Sequence, residues 1–410
     1  MGRKKAGKRS NLLIILVSLV ILFFAAQNIS SFDKIQKNLD EKSEATETTP
    51  KEDEENRDEV DKVIDKKTTA TILATGDIMF HSPQIKAGYN PAMDSYDFNG
   101  PFKHVKKYIE SADLSLGNFE TVTAGPEVGF VGYPNFNSPV ETLDAIKNAG
   151  YDILTTANNH CLDQRKEGLI STIKAIEDRG MKNIGTYKEP NSSLLIENIN
   201  DISMAILSYT YGCNGMEHTL DPKELNYMIN LIDEEKIKED IEKAKDEDVD
   251  LIIVFIHWGN EYQQEPSQEQ IDLGNKLADW GVDIILGSHP HVVQSSDIIT
   301  KNGSETFVIY SMGNFLSNQR RENVNNKYTE DGVIVKLQVE KNFKDEETKI
   351  KEIQYIPTWV NKYTANGKFQ YEIIPTGEVL KGQENYDTIT KEAFLKIEDS
   401  FNNTMKKLEN

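Results

Sequence analysis

Five apolar, strand-like runs of this chain are each followed at once by polar residues of the kinds that bind metals. The runs are residues 70–74, 113–116, 153–157, 251–255 and 282–286, and the polar groups are Thr75-Gly76-Asp77, Gly117-Asn118-Phe119-Glu120, Asn158-Asn159-His160, Ile256-His257-Trp258-Gly259 and Gly287-Ser288-His289-Pro290-His291. In an open α/β sheet, the loops after the carboxyl ends of the strands converge and build sites. Asp, Glu, Asn and His suit a hard or borderline divalent cation. The sequence therefore predicts a metal-centred site at the strand ends of an α/β protein.

Helix-like segments alternate with these runs and define the fold class. Residues 140–148, 165–179, 234–246 and 268–280 have helical patterns, and residues 202–209 form a further strand-like run. Buried strands that lack polar alternation and are separated by helices indicate an α/β sheet covered by helices on both faces. The segments 306–311, 332–339 and 350–356 have few helices between them, which predicts antiparallel strands at one sheet edge or in a second sheet.

The charge of the chain restricts its partners. Its 410 residues include 46 Lys and Arg against 67 Asp and Glu, for a formal net charge of −21. No basic field is available to displace counterions from phosphates, which excludes a nucleic-acid binder. A polyanion would bind tightly only if cations mediated the contact.

The N-terminus has the pattern of a membrane anchor. A basic segment, residues 1–11, precedes an apolar run from Leu12 to Ala26 that residues up to 32 extend. Its small-residue cleavage site is poor, so we favour an uncleaved anchor at residues 12–32 over a signal peptide. The basic flank keeps the N-terminus in the cytoplasm and places the remainder outside the cell membrane, which is crossed once.

The rest of the chain divides into three parts. Residues 33–67 are strongly acidic and poor in large apolar side chains, which predicts a disordered or loosely helical linker. A folded domain is expected at 68–385, followed by a C-terminal helix and tail at 386–410. Two cysteines, Cys161 and Cys213, cannot form a disulfide framework. A single bridge between them is possible, but we favour the interpretation that Cys161 is a small buried thiol beside the site.

Three histidines are the strongest candidate metal ligands. His289 and His291 lie two residues apart, so in an extended segment both rings project from the same side. With His257 from a neighbouring strand end, they give three imidazoles, a pattern typical of zinc, manganese or iron. Asp77 and Glu120 would add the negative charge that neutral imidazoles lack. Asn159 is a candidate neutral oxygen ligand.

A second group of residues has candidate roles in catalysis or substrate binding. His160 would act as a general acid or electrostatic stabiliser, with Asp163 either holding its other ring nitrogen or capping the following helix. The two alternatives for Asp163 stay open. Glu261 is a second candidate acid or ligand. Three residues, from three of the strand-end motifs, are candidates for substrate binding: Asn158, Trp258 and Asn314.

Six motifs in order resemble those of the CapA capsule-synthesis family, which includes PgsA-type proteins of poly-γ-glutamate production. They are Gly76-Asp77, Gly117-Asn118-Phe119-Glu120, Asn158-Asn159-His160 with Asp163, His257-Trp258-Gly259 with Glu261-Tyr262, Gly287-Ser288-His289-Pro290-His291 with Gln294, and Ser311-Met312-Gly313-Asn314-Phe315. The resemblance spans residues 70–320. Typical members are membrane-anchored, with the domain outside the cell.

This family is distantly similar to calcineurin-type metallophosphoesterases. That similarity implies a metallophosphatase-like αββα sandwich around one or two ions of manganese, zinc or iron. Asp77 would match the first aspartate of those enzymes, whereas Met79 occupies the position of a histidine ligand. Glu120 would replace the bridging aspartate.

The resemblance implies a role in the synthesis, export or retention of an anionic capsule polymer such as poly-γ-glutamate. A metal-dependent hydrolase or transferase-type site would carry out any chemistry, and other capsule-synthesis proteins in the membrane would be partners. One alternative is a metal-dependent phosphoesterase or other hydrolase that acts on extracellular or cell-wall substrates. Another is a polymer-binding scaffold without catalysis.

Overall fold

The computed structural model describes residues 66–190, 194–382 and 386–409. The predicted cytoplasmic segment, the membrane anchor and the linker up to residue 65 lie outside the described residues. Within the described ranges, no helix combines the length and the apolar character needed to cross a bilayer. The first strand begins at Lys67, at the predicted junction between the linker and the folded domain.

The described ranges contain sixteen strands. They are β1 (Lys67–Ile78), β2 (Tyr89–Asn90), β3 (Ser95–Tyr96), β4 (Leu114–Phe119), β5 (Ile153–Thr155), β6 (Lys182–Ile184), β7 (Leu195–Ile199), β8 (Ile202–Thr210), β9 (Leu251–His257), β10 (Ile284–Ser288), β11 (Ser296–Lys301), β12 (Ser304–Ile309), β13 (Asn314–Leu316), β14 (Asp331–Asn342), β15 (Glu347–Ala365) and β16 (Lys368–Pro375).

Ten α-helices occur in the same part of the chain. They are α1 (Ser82–Gly88), α2 (Lys106–Ile109), α3 (Glu141–Ala149), α4 (Arg165–Glu177), α5 (Pro222–Met228), α6 (Glu234–Asp246), α7 (Gln268–Asp279), α8 (Arg321–Val324), α9 (Thr376–Leu380) and α10 (Lys391–Leu408). Short 3₁₀ turns lie at Gly100–Phe102, Pro126–Val128, Met216–Thr219 and Lys327–Glu330.

The strands form two large mixed sheets. The first has the order β16-β15-β14-β1-β4-β5-β6, and β13 pairs with the end of β1. Its strands β1, β4, β5 and β6 are parallel, whereas β14, β15 and β16 form an antiparallel edge. The second sheet has the order β11-β12-β10-β9-β8-β7, with parallel strands at its centre and antiparallel β7 and β11 at its edges.

Apolar side chains from both sheets meet in one buried cluster and place the sheets face to face. Ile72 and Leu116 of the first sheet belong to the same cluster as Ile253 and Leu286 of the second. A cluster on the outside of the first sheet includes residues of α3, and one on the outside of the second includes residues of α6 and α7. Strands that are buried on both faces need no polar alternation, which is why their sequences are continuously apolar. The predicted α/β class with flanking helices is confirmed.

The C-terminal part shows where the sequence-based prediction was incomplete. The segments predicted at 332–339 and 350–356 are parts of β14 and β15, and they do form an antiparallel edge together with β16. The segment predicted at 306–311 overlaps β12, which pairs in parallel with β10 and antiparallel with β11. The apolar pattern does not reveal this difference, because strand direction depends on the connections. Helix α10 packs through Ile397 against Trp359 of β15.

Two glycines allow the strand ends of each sheet to approach closely. A Cβ atom at Gly76 would lie 2.0 Å from the carbonyl oxygen of Gly313, and one at Gly287 would lie 2.0 Å from that of Tyr310. Asp77 can therefore take its place beside β13, where its backbone N–H donates to the Gly313 carbonyl at 3.0 Å. A side chain at either glycine would push the strand carrying the following motif away from its neighbour.

Candidate metal centre

The first half of the site comes from the ends of β1 and β4. Asp77 is paired in register with Asn118, and both side chains are fully buried together with Glu120. Asn118 Nδ2 donates to Asp77 Oδ1 at 2.8 Å and to Glu120 Oε2 at 3.3 Å. One amide thus links the two carboxylates and fixes their separation.

The second half comes from β9, β10 and the loop that follows β10. His257 ends β9 and is paired in register with Ser288, the last residue of β10. His257 Nδ1 lies 2.9 Å from Ser288 Oγ, and His257 Nε2 lies 3.1 Å from Asn159 Oδ1. These contacts orient the imidazole towards the polar groups at the ends of β4 and β5.

The prediction that His289 and His291 lie in an extended segment was wrong. Both residues have left-handed backbones, with φ values of 98° and 56°. Their rings nevertheless reach the same site, with centroids 5.9 Å apart, and the His289 ring lies 4.7 Å from that of His257. A left-handed conformation is unfavourable for a residue with a Cβ atom, so this loop is held by its surroundings.

His291 connects the two halves of the site. Its Nδ1 lies 3.0 Å from Asp77 Oδ2, and because a carboxylate only accepts, Nδ1–H is the donor. Its Nε2 lies 3.6 Å from Glu120 Oε1, and His257 Nε2 lies 3.7 Å from the same oxygen. Two imidazole nitrogens from different loops thus face one carboxylate oxygen.

Two buried polar atoms of the cluster lack a hydrogen-bond partner among the described residues. They are Glu120 Oε1 and His289 Nδ1. Leaving a buried acceptor or donor unpaired costs about 1–3 kcal/mol. A cation bound among these atoms would satisfy both, so the donor set fits a metal.

Burial and neighbouring groups set the charges of the cluster. Desolvation, followed by the charge of Asp77, raises the pKa of Glu120 well above its usual range. Desolvation, reinforced by the other histidines, lowers the pKa of His257 well below 6.5 and that of His289 to about 3. Neutral imidazoles are the form that binds metals, so these two rings are already in the ligand state at neutral pH.

The side chains form overlapping sets of candidate ligands whose donor atoms lie within 4.8 Å of one another. One set is Glu120, His257 and His289, and a second is Asp77, Glu120 and His291. Glu120 belongs to both sets. A third set combines His289 and His291 with Glu261, which is exposed to solvent.

His160 and Asp163 form a buried pair beside this cluster. His160 Nδ1 donates to Asp163 Oδ2 at 2.8 Å, and the Phe136 backbone N–H donates to the same oxygen at 2.7 Å. The Phe136 ring packs edge-on against the His160 imidazole at 4.8 Å. Of the two alternatives left open by the sequence, Asp163 therefore holds the histidine ring. Helix α4 has Gln164 at its N-cap, without a side-chain cap.

The three asparagines among the predicted site residues make mainly internal contacts. Asn158 Nδ2 donates to Asn118 Oδ1 at 3.0 Å, and its Oδ1 accepts from the His160 backbone N–H at 3.1 Å. Asn159 presents its Oδ1 to His257, whereas Asn314 Nδ2 donates to the His291 carbonyl at 3.3 Å. Asn158 and Asn314 thus brace the loops that carry the histidines.

Trp258 is separated from the cluster by its packing. Its side chain is 2% exposed and stacks on Tyr310 in the core outside the second sheet. Its indole N–H donates to the Tyr310 carbonyl oxygen at 2.9 Å. Trp258 directly follows His257, and successive residues of an extended segment point to opposite faces.

Four further residues belong to the site but were not among the predicted site residues. Asn118 and Ser288 contact the cluster directly, and both were part of the quoted motifs. Tyr211 follows β8, and its half-exposed ring lies 4.5 Å from that of His289. Asn214 Oδ1 accepts from Asn159 Nδ2 at 3.3 Å. The strand-end rule could have revealed Tyr211, because the strand at residues 202–209 was recognised.

The fold and this cluster define a two-sheet α/β protein with a buried carboxylate and histidine centre at the strand ends. A family model described as "Bacterial capsule synthesis protein PGA_cap" matches residues 71–319. The chain belongs to this family, because the match covers more than half of its length. The resemblance to CapA proteins is thereby confirmed.

Similar proteins carry related names. The chain is 32% identical over 261 residues to "Capsule biosynthesis protein CapA" of Bacillus anthracis, covering 61% of this chain but only 60% of that protein. It is 26% identical over 282 residues to "PGA biosynthesis protein CapA" of Bacillus subtilis, covering 65% and 67% of the two chains. Among solved structures, the calcineurin-like phosphoesterase YfkN from Bacillus subtilis matches 83% of this chain and 99% of its own, with a TM-score of 0.40 and 16% identity.

Proposed function

We propose that this protein is a metal-dependent hydrolase or transferase that acts on an anionic capsule polymer, such as poly-γ-glutamate, during its synthesis, export or retention. Membership of the capsule-synthesis family supports the polymer as the substrate class. The buried carboxylate and histidine cluster supports chemistry rather than binding alone. The substrate contact of a chain with a net charge of −21 would need a cation between protein and polyanion.

The observation that carries the proposal is the environment of Glu120. Its Oε1 is buried, has no hydrogen-bond partner among the described residues, and faces the Nε2 atoms of His257 and His291. An unpaired carboxylate oxygen between two imidazole rings is an arrangement that a divalent cation stabilises. The residues that would hold one or two ions of manganese, zinc or iron are Asp77, Glu120, Asn159, His257, His289 and His291.

The bound ion would supply Lewis acidity towards a carbonyl or phosphoryl oxygen of the substrate. His160 would act as the acid in its imidazolium form, giving the proton on Nε2 to the leaving group while its Nδ1–H stays hydrogen-bonded to Asp163. Asp163 would keep the ring in that orientation. Glu261, exposed at the mouth of the cluster, would be available as a second acid or ligand.

The proposal also includes a location for the domain, which the sequence of the N-terminus supports. The basic segment and apolar run within residues 1–32 would anchor the chain in the cell membrane, with the folded domain outside. A capsule polymer is assembled and retained at that surface. Other membrane proteins of capsule synthesis would then be its partners.

The first test is the metal content of the full-length chain, purified in detergent without chelators. Near-stoichiometric manganese, zinc or iron is expected in the parent protein, with a large loss in His257→Ala and His289→Ala. His218→Ala, at an exposed position, and His104→Ala, at a buried one remote from the cluster, are matched controls that should retain the metal. A metal-free parent protein that stays metal-free after incubation with these ions would refute the proposal and favour a polymer-binding scaffold.

The second test is turnover of metal-loaded protein on γ-linked glutamate oligomers and on a chromogenic phosphodiester. Cleavage or transfer of the oligomers that is lost in His160→Ala, with unchanged metal content, would support the proposed reaction. Activity on the phosphodiester alone would favour the alternative phosphoesterase.

A further inference from the structure

The only two cysteines in the chain are brought into contact by the fold. Cys161 follows His160 in the loop after β5, and Cys213 lies in the loop after β8, 52 residues further along the chain. Their Sγ atoms are 3.5 Å apart, and both thiols are free and buried. Two sulfur atoms at this separation need only a small approach of their loops to bond.

Both loops carry parts of the candidate metal centre. The Cys161 loop contains Asn159 and His160, whereas the Cys213 loop contains Tyr211 and Asn214. Asn159 Nδ2 donates to Asn214 Oδ1 at 3.3 Å, so the loops already touch beside the sulfur atoms. On their other side, the cysteines pack in an apolar cluster with Leu162, Leu220, Met228 and Ile229.

We propose that Cys161 and Cys213 form an intramolecular disulfide that ties these two loops together. An external disulfide would be the oxidant. One cysteine thiolate attacks it and releases a thiol, and the second cysteine then attacks the mixed disulfide and releases another. The protein loses two protons and two electrons, and the external disulfide is reduced to two thiols. The presence of this oxidant rests on the proposed extracellular location, whereas the contact between the sulfur atoms does not.

The bond would act on the site through the loop that precedes Cys161. Asn159 Oδ1 lies 3.1 Å from His257 Nε2, and Asn159 is two residues from the sulfur atom. A covalent link to the Cys213 loop restricts how far Asn159 and His160 can move from the histidines. It also restricts the unfolded chain, because it closes a long loop.

The test uses the full-length protein in detergent, unfolded and refolded in mixtures of reduced and oxidised glutathione so that burial does not limit access to the thiols. Remaining thiols are alkylated, and the intact mass and linked peptides are measured. We expect loss of both alkylation sites, a mass lower by two hydrogen atoms, and a peptide joining Cys161 to Cys213. Cys161→Ser and Cys213→Ser are the controls, because neither can form the internal bond.

Thermal unfolding of the same samples tests the link between the loops. The oxidised protein should unfold about 5 °C or more above the reduced protein, and the double variant Cys161→Ala/Cys213→Ala should show no such difference. Two alkylated cysteines, or two glutathione adducts without a linked peptide, across all mixtures would overturn the proposal. The His257→Ala protein should still form the disulfide, so failure of the metal proposal is distinguishable from failure of this one.

Discussion

Replacing Glu120 by Gln should change the stability of this protein in opposite directions with and without metal. The side chain is fully buried, shares the Asn118 amide with Asp77, and has one oxygen without a partner among the described residues. In the metal-free protein the Glu120 carboxylate therefore lowers the stability of the folded state, because burial and the Asp77 charge both oppose its ionisation. Glutamine has nearly the same shape and removes that charge.

The size of the expected stability change follows from the short distance between the Asp77 and Glu120 carboxylates, which both accept from the Asn118 side-chain amide. Two charges about 5 Å apart repel by about 3 kcal/mol at an effective dielectric constant of about 20. Proton uptake by Glu120 relieves part of this repulsion, so the metal-free variant should be about 1–3 kcal/mol more stable near pH 8. Because folding raises the pKa of Glu120 above 4.5, this carboxyl destabilises the metal-free protein progressively as the pH rises from that value. The advantage of the variant should disappear below about pH 4.5.

With metal bound, the parent protein should be more stable than the Glu120→Gln variant. A ligand at one hundred times its dissociation constant stabilises the folded state by about 2.7 kcal/mol, and the variant has lost the carboxylate shared by two candidate ligand sets. Denaturant unfolding of both proteins, with chelator and with added Mn²⁺ or Zn²⁺, measures the four stabilities. A metal-free Glu120→Gln protein less stable than the parent by 2 kcal/mol or more, or an equal response of both proteins to metal, would refute this reasoning.

Three further predictions concern single side chains. Asp163→Asn should lower turnover about 10–100-fold at unchanged metal content, because the His160 ring loses the acceptor that orients it. Equal kcat values for the parent and the variant would contradict this role of Asp163. Trp258→Phe should lower the free energy of unfolding by about 1–3 kcal/mol and leave metal content and KM unchanged, because its indole N–H donates to the Tyr310 carbonyl oxygen in the core. A raised KM would instead support the predicted role in substrate binding. Burial opposes ionisation of Glu372, but His104 nearby and the hydrogen bonds donated by Thr388 and Lys103 outweigh it and lower the pKa to about 2. This residue therefore stabilises the protein above pH 4.5, and that stability is lost as the pH falls towards 2. Glu372→Gln should therefore flatten the acid limb of a pH series of urea unfolding curves between about pH 4.5 and 2.5, and an unchanged slope would contradict a lowered pKa for Glu372.

The ligand-type residues could be predicted because the chemistry and the topology constrain the same positions. Parallel strands bring their carboxyl ends to one edge, so Asp77, Glu120, His257 and His291 could be grouped from the positions of the apolar runs alone. The structure places these side chains in one buried cluster. The prediction of these candidate ligands required only the positions at which buried strands end, and the ends of the apolar runs indicate those positions.

The supporting contacts could not be predicted in the same way. Ser288 meets His257 only because β9 and β10 are paired in one register, and a pattern along one strand does not contain that register. The left-handed backbones of His289 and His291 depend on the loop that holds them. Contacts between distant loops, such as Cys161 with Cys213, need the complete fold.

Several unfavourable features coincide at this cluster, and together they indicate that it is kept for a function. Among the described residues, the ion-pair contacts of Asp77 and Glu120 are with His257 and His291, and burial shifts the pKa of His257 well towards the neutral form. Two carboxylates are therefore buried without a permanent positive charge, beside two histidines with left-handed backbones and an unpaired imidazole nitrogen. Each feature lowers stability in the absence of a ligand. Local conflicts of this kind concentrate where function requires them, and a bound cation would relieve the charge and pairing terms at once.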